Sequence, residues 1–235
     1  MIHLLQLSDT HFAAGGEVVN GRDPAARLAE VLEAVRLGGS PIDALVVTGD
    51  LTDDGSRAAC ADLAAALAPL GVPILAVPGN HDDPRVVRDL FRPDALEIGR
   101  WRLIGLDTSR PGQIHGTVDV AAEMSRLDGY DRSFTLLAMH HPPWSPSDHP
   151  WFQLEGAVEL ATAVARRPHV RAFLTGHLHR SFSGAAAGTQ VLGCPSVLVE
   201  IQVADGEVMI GGVDTGARIC VLHDDGEITS RVVRA

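Results

Sequence analysis

Polar side chains of the metal-binding and acid–base types follow a series of short apolar runs. Carboxylate, imidazole and amide groups can hold divalent or trivalent metal ions and can also move protons. Each fragment alone is common by chance, but together and in this order they indicate a functional site. The stretches concerned are Ser8 to His11, Thr48 to Asp50, Gly79 to Asp82, His140 to His141 and Gly176 to His179.

The apolar runs that precede these stretches have the composition of buried strands. In an open α/β sheet, ligands bind at the carboxyl ends of the strands, so the polar residues are expected to meet there. Gly49 allows a tight turn and a close approach of the backbone to whatever Asp50 holds. Strands are predicted over Ile2 to Leu7, Leu45 to Val47, Pro73 to Val77, Trp101 to Leu106, Phe134 to Met139 and Arg171 to Leu174.

Helical patterns lie between the strands. Asp23-Pro24 and Ser56 are helix-start signals, and the spacing also predicts helices at Pro84 to Phe91, Thr117 to Leu127 and about Leu154 to Arg167. In the last of these, Leu154, Ala157, Val158, Ala161 and Val164 are expected on one face. Such strand–helix–strand units with short links imply a mainly parallel sheet. After Ser181 the pattern changes to strands, with hairpin turns at Ala204 to Glu207 and Asp224 to Glu227.

Composition excludes several classes of function. The net charge is −11, which argues against a nucleic-acid polymer as partner, and all basic residues are arginine, which excludes lysine-based catalysis. No stretch is long enough to span a membrane and no secretory signal is visible. The cysteines (Cys60, Cys194, Cys220) lack metal-type spacing and are predicted to be reduced and buried, so a cytoplasmic location is expected.

The ordered motifs closely resemble those of the calcineurin-like metallophosphoesterase family. The family pattern of Asp-x-His, Gly-Asp, Gly-Asn-His-Asp, His and Gly-His-x-His is present from Ile2 to about Arg180. This resemblance implies a four-layer α/β/β/α sandwich with two mixed sheets, formed by residues 1–235 as a single domain. Residues 1–180 would supply the metal-binding units, and residues 181–235 would be mainly antiparallel strands that complete the second sheet.

The resemblance also implies ligands for two metal ions per chain. The mixture of carboxylate, imidazole and amide donors suits Mn, Fe, Zn or Co. One ion would be held by Asp9, His11, Asp50 and His179, and the other by Asp50, Asn80, His140 and His177. Asp50 and Asn80 are thus also catalytic, and His81 would neutralise phosphoryl charge and help to protonate the leaving alkoxide. Asp82 is expected to orient an imidazole, and His141 is interpreted as a pocket residue next to the ligand His140.

Other candidates have weaker support. The irregular aromatic segment Pro142 to Gln153 follows the His140 strand end and is predicted to wall a substrate pocket, with His149 and Trp151 as possible contacts. His3, His115, His169 and His223 are interpreted as ordinary surface or core histidines. A homodimer, through Thr117 to Tyr130 or elsewhere, is left open.

Within the family, the motifs are most similar to a bacterial branch of class III cyclic-nucleotide phosphodiesterases and glycerophosphodiesterases. The implied reaction is in-line attack of a metal-bridging hydroxide on a small phosphodiester, with 3′,5′-cyclic AMP as the first candidate. Alternatives are a glycerophosphodiesterase and a phosphomonoesterase, for which Arg22, Arg110 and Arg180 could grip a dianion. A nuclease is disfavoured by the acidic charge. A non-catalytic metal-binding scaffold, known in the family where ligands have been replaced, is the distant alternative, since all ligand positions are intact here.

Overall fold

Short aliphatic runs form most of the strands in the computed structural model, which describes residues 1–127 and 134–235. In chain order the described strands are β1 (Ile2–Leu7), β2 (Ala44–Thr48), β3 (Ile74–Val77), β4 (Ala95–Ile98), β5 (Trp101–Gly105), β6 (Gly116–Thr117), β7 (Phe134–Ala138), β8 (Leu154–Glu155), β9 (Val170–Thr175), β10 (Phe182–Ala186), β11 (Thr189–Gly193), β12 (Glu200–Ala204), β13 (Glu207–Gly212), β14 (Gly216–Leu222) and β15 (Ile228–Arg234). The α-helices are α1 (Pro24–Leu37), α2 (Arg57–Leu67), α3 (Pro84–Leu90), α4 (Val120–Leu127) and α5 (Ala157–Ala165).

Two mixed sheets carry most of these strands. The first has the order β15-β14-β1-β2-β3, and the second has the order β10-β11-β9-β7-β5-β4. The strands that precede the predicted site are parallel to their sequence neighbours in each sheet, as in the pairs β1–β2, β2–β3 and β7–β9. Their carboxyl ends therefore lie at one edge of each sheet.

The C-terminal strands divide between the two sheets. β10 and β11 extend the second sheet, whereas β14 pairs with β1 and β15 pairs with β14, which extends the first sheet. The expectation that residues 181–235 complete the second sheet is therefore wrong for the last two strands. The hairpin β12–β13 belongs to neither sheet. Its turn and that of β14–β15 lie where the sequence predicted them.

Alternation along the strands separates the layers. Leu5 and Leu7 of β1 belong to an apolar cluster with α1 and α2, whereas Leu4 packs between the two sheets. Phe173 of β9 faces outward into a third cluster with α4 and α5. Helices thus cover the outer face of each sheet, and the predicted four-layer α/β/β/α sandwich is confirmed.

Three helices, α1 to α3, start where the sequence predicted, whereas α4 and α5 each start three residues later than predicted. The Asp23 carboxylate accepts hydrogen bonds from two backbone amides at the start of α1, and Ser56 caps α2. The helix predicted from Leu154 begins only at Ala157, because Leu154 and Glu155 form β8 and pair with β6. Val158, predicted on the buried face, is 76% exposed.

None of the helices in the described part of the chain is long and apolar enough to cross a membrane. Of the segment suggested for a homodimer, residues 128–130 lie outside the described residues. The homodimer and the cytoplasmic location both stay predictions.

Candidate metal centre

The carboxyl ends of five strands bring the predicted site residues together where the two sheets meet. The first sheet contributes the loops after β1, β2 and β3, and the second contributes those after β7 and β9. Each of these loops holds at least one predicted ligand. The residues are Asp9 and His11 after β1, Asp50 after β2, Asn80 after β3, His140 after β7, and His177 and His179 after β9.

Five of these ligands have a left-handed backbone. The φ angles are 53° for Asp9, 46° for His11, 46° for Asp50, 69° for His177 and 52° for His179. This conformation is uncommon for residues other than glycine and costs on the order of 1 kcal/mol or more at each position. Through the Gly176 to His179 turn, the imidazole of His179 reaches His11 and that of His177 reaches His140.

The first group of possible metal ligands comprises Asp9, His11, Asp50 and His179. All four residues are buried, and each offers an oxygen or ring nitrogen within 4.8 Å of the others. His11 Nε2 lies 3.3 Å from His179 Nε2, and His179 Nε2 lies 3.4 Å from Asp9 Oδ1. The group coincides with the predicted first metal site.

The second group surrounds His140 Nε2. This atom lies 3.3 Å from Asp50 Oδ2, 3.1 Å from Asn80 Oδ1 and 3.2 Å from His177 Nδ1. Asp50 therefore contacts the second group and also lies 3.9 Å from His11 Nε2 of the first. The shared carboxylate matches the bridging role predicted for Asp50.

One nitrogen of each of the four imidazoles is held from outside the site. Because that nitrogen faces a carbonyl or carboxylate acceptor, it carries the proton whenever the ring is neutral, and the other nitrogen then directs its lone pair inward. The acceptors lie 2.7–3.1 Å away: Asp53 Oδ1 for His11 Nδ1, the Thr48 carbonyl for His140 Nδ1, the Trp151 carbonyl for His177 Nε2 and the Val199 carbonyl for His179 Nδ1.

The inward nitrogens form two close pairs, His11 with His179 and His140 with His177, at 3.3 and 3.2 Å. Lone pairs at this separation repel one another unless positive charge lies between them. Imidazole, carboxylate and amide donors without thiolates suit Mn, Fe, Zn or Co. The residues present thus fit a two-metal centre.

The pKa values of the buried groups also fit a site for positively charged ions. Burial raises the pKa of Asp9 to about 6 and lowers that of His177 to about 3. Burial also opposes ionisation of the pair Asp50 and His140. Their mutual attraction outweighs it, holding the pKa of Asp50 below its usual range and raising that of His140 to about 9. The site stabilises positive charge beside Asp50, as a cation site must.

His81 lies at the entrance of the site. Its Nδ1 is 3.0 Å from the Asp53 carbonyl, and its backbone amide donates to Asp50 Oδ1 at 3.0 Å. The side chain is 40% exposed and lines the cavity above the donors. His81 is therefore tied to Asp50 while its ring remains accessible to a ligand, in keeping with its predicted role.

Asp82 does not orient an imidazole, contrary to the sequence-based expectation. Its carboxylate accepts hydrogen bonds from the backbone amides of Leu51, Thr52 and Gly79 and from the Thr52 hydroxyl, at 2.8–3.0 Å. Three converging backbone amides hold a carboxylate more completely than a ring nitrogen could. Asp82 thus ties the loop after β2 to the loop after β3.

His141 and His140 point in different directions. His141 Nδ1 lies 2.9 Å from Thr108 Oγ1, and its Nε2 lies 2.9 Å from the Ile114 carbonyl. Both ring nitrogens therefore have partners in the loop after β5. This favours His140 as the ligand and makes His141 a support for that loop.

A cavity of about 280 Å³ opens above the donors. Trp151 lines it, as predicted, whereas His149 stands behind Trp151, accepting a hydrogen bond from its amide. Ile114, Phe152, Ile201 and Ile210 complete an apolar side. A larger groove beside it is lined by Arg85, Arg88 and Arg110, and of the described lining residues it shares only Asn80 and His81 with this cavity.

Several supporting groups carry no motif in the sequence. Three of the four acceptors that hold the imidazoles are backbone carbonyls, to which any residue type could contribute. Asp53 is the exception, three residues after Asp50. The only signal that could have identified it is its place in the same acidic loop.

Comparison with known proteins agrees with this geometry. Residues 2–181 match the family described as calcineurin-like phosphoesterase. That match spans more than half of the chain, which therefore belongs to the calcineurin-like phosphoesterase family. The predicted family and hydrolase class are confirmed.

Two relatives and one solved structure illustrate the similarity. A 3′,5′-cyclic adenosine monophosphate phosphodiesterase, CpdA of Pseudomonas aeruginosa, is 31% identical over 98% of this chain and 89% of its own. A cAMP/cGMP dual specificity phosphodiesterase of Mycobacterium tuberculosis is 36% identical over 80% of this chain and 65% of its own. A dimetal phosphatase from Danio rerio covers 99% of this chain and 98% of its own, with a TM-score of 0.62 and 14% identity, and so shares the fold.

Proposed function

We propose that this chain uses two bound metal ions to hydrolyse small phosphodiesters, with 3′,5′-cyclic nucleotides, cAMP first, as substrates. The observation that carries the proposal is the pair of donor groups that share Asp50 at the floor of a small cavity. Relatives named as cyclic nucleotide phosphodiesterases support the choice of substrate.

The ligand assignment follows from the two groups. Asp9, His11, Asp50 and His179 would hold one ion, and Asn80, His140 and His177 would hold the other together with Asp50. When bound, such ions supply hydroxide at neutral pH and neutralise charge on the phosphoryl oxygens. The outer hydrogen bonds of the imidazoles keep the inward nitrogens free to bind.

His81 supplies the remaining chemistry in this proposal. Its Nδ1 is occupied by the Asp53 carbonyl, so Nε2 is the nitrogen available to a substrate. There it can donate a hydrogen bond to a phosphoryl oxygen or a proton to the leaving alkoxide. The hydrogen bond from the His81 backbone amide to Asp50 Oδ1 holds His81 close to the carboxylate that would bind the metals.

The charge of the cavity favours a diester over a monoester. A monoester brings a dianion, which arginines commonly grip. Of the described residues that line the cavity, none is an arginine. Arg110, suggested for such a role, pairs instead with Glu155 and lines the neighbouring groove.

The test is to compare initial rates of Mn²⁺-reconstituted protein on bis(p-nitrophenyl) phosphate and p-nitrophenyl phosphate, followed by cAMP and cGMP. We expect a strong diester preference and turnover of the cyclic nucleotides. Turnover of glycerophosphodiesters alone would favour the glycerophosphodiesterase alternative. A preference for the monoester would contradict the proposal, and no turnover with two metals bound would point to the scaffold alternative.

A further inference from the structure

The cavity above the metal centre has two chemically different sides. Its polar floor and mouth are formed by His11, Asp50, Asp53, Asn80, His81, His177 and His179. The opposite side, here called the apolar wall, consists of Ile114, Trp151, Phe152, Ile201 and Ile210. A phosphoryl group on the floor therefore leaves the rest of its molecule against hydrocarbon and aromatic surface.

The apolar wall is fixed directly to the metal centre. The Trp151 carbonyl is 2.7 Å from His177 Nε2, and the Phe152 ring stands edge-on to the His177 ring with centroids 5.5 Å apart. Phe152 is 3% exposed, so it serves as a rigid base for the wall. The floor and the apolar wall are thus in direct contact at His177.

The hairpin β12–β13 supplies the far part of the wall. Ile201 and Ile210 are paired across its strands, so their side chains lie on the same face. Ile201 packs against Phe152 and Leu178 and is 7% exposed, whereas Ile210 is 49% exposed. Met209, next to Ile210 on the opposite face, is equally exposed at 50% but does not line the cavity.

Charge and size restrict what could bind there. Among the described lining residues there is no cation beyond the histidines of the floor, so nothing on the wall would hold a second phosphate. At about 280 Å³ the cavity is at the small end of ligand sites, which favours a small molecule over a polymer segment. A flat, uncharged group with one polar edge fits this environment.

We infer that the apolar wall binds the nucleobase of a cyclic nucleotide, an inference that rests on the proposed function. The base lies between Trp151 and Ile210, as bases pack on aromatic and apolar side chains elsewhere. Asn20, the remaining polar residue of the lining, offers an amide donor and an acceptor to the base edge. Because an amide can pair with adenine or guanine by reversing its direction, this subsite accepts both purines.

The test compares cAMP with 1,4-anhydroribitol 3,5-cyclic phosphate, which carries hydrogen in place of the base, using the Mn²⁺-loaded enzyme. We expect Ile210→Ser and Trp151→Ala each to lower kcat/KM for cAMP by about 5- to 20-fold, mainly through KM. Neither should change kcat/KM for the base-free ester by more than about twofold. The Trp151→Ala variant keeps the carbonyl that contacts His177, and Met209→Ser is the matched control that leaves both substrates unaffected.

Two results would overturn the inference, and they differ from one another. The base does not bind at the wall if both wall variants hydrolyse cAMP as well as Met209→Ser does. The same conclusion follows if their kcat/KM falls equally for cAMP and for the base-free ester. In either case the proposed function still stands. If the unsubstituted enzyme cleaves bis(p-nitrophenyl) phosphate but neither cAMP nor cGMP, the cyclic-nucleotide proposal fails as well.

Discussion

Asp53 holds the imidazole of His11 through the ring nitrogen that does not face His179, with Asp53 Oδ1 3.1 Å from His11 Nδ1. This hydrogen bond shifts the pKa of both side chains. Burial opposes a charge on His11, but the bond to Asp53 raises its pKa above the ordinary value, and the same bond lowers the pKa of Asp53. A carboxylate in this position fixes the ring and makes the inward nitrogen a stronger metal ligand.

Replacing Asp53 should therefore weaken metal binding without removing a ligand. We expect Asp53→Asn to lower the affinity of the first metal site by about 10- to 100-fold. Direct metal titration by calorimetry measures this, and excess Mn²⁺ should restore much of the activity. Asp54→Asn is the matched control, because exposed Asp54 accepts a hydrogen bond only from the nearby Ser56 amide among the described contacts. Equal metal affinity in the two variants would exclude this role for Asp53.

Substitution of the two adjacent histidines, His140 and His141, should have different effects. His140→Asn removes an inward nitrogen beside Asp50, and we expect kcat to fall by roughly a thousandfold or more, equivalent to about 4 kcal/mol of lost charge stabilisation. His141→Asn instead removes buried hydrogen bonds to Thr108 and Ile114, which should cost about 1–3 kcal/mol of stability. Steady-state kinetics and urea unfolding of both variants test the pair. A larger loss of kcat in His141→Asn would reverse the ligand assignment.

The cysteines should be unreactive in the folded protein. Cys60, Cys194 and Cys220 are 0–1% exposed, and burial raises the pKa of Cys60 and of Cys220 to about 12. Because the thiolate is the reactive form, very little is present at neutral pH. We expect an aromatic disulfide reagent to modify no cysteine in the native protein and three after denaturation. Rapid modification of a native thiol would show that the surrounding core opens easily.

The sequence predicted most of the central strands, and it predicted which polar side chains meet at their ends, because both depend on local patterns. Apolar runs mark buried strands, and a polar group directly after a strand lies at the sheet edge whatever the rest of the chain does. The same logic failed at Leu154, where pairing with β6 overrode a helical pattern. Such pairing between segments far apart in sequence leaves no local signal.

The supporting interactions were predicted less well, again for a physical reason. Asp82 has the residue type of an imidazole partner, but the amides of Leu51, Thr52 and Gly79 converge on it only once two loops are folded. Likewise, the Val199 carbonyl reaches His179 from a loop with no motif of its own. Side-chain type restricts the possible partners, and the tertiary fold selects among them.

The backbone at Gly49 lies directly against the His140 ring of the candidate metal centre. A Cβ atom at this position would lie 2.3 Å from His140 Nδ1, and the φ angle of 87° is itself in the left-handed region. Gly71, with φ 64°, also lies in the left-handed region, where any replacement would be strained. A Cβ there, however, would meet no heavy atom within 4 Å. The two glycines therefore separate backbone strain from displacement of a ligand.

We expect Gly71→Ala to cost about 1 kcal/mol of stability and to leave kcat unchanged, because only the left-handed conformation is penalised. Gly49→Ala should cost more than this and should lower kcat by at least about tenfold at saturating Mn²⁺, since His140 must shift from its position beside Asp50. Urea unfolding and steady-state kinetics on the two variants measure both effects. Equal kcat values would mean that the His140 ring can move without loss of function, and the tight packing of Gly49 against it would then serve stability alone.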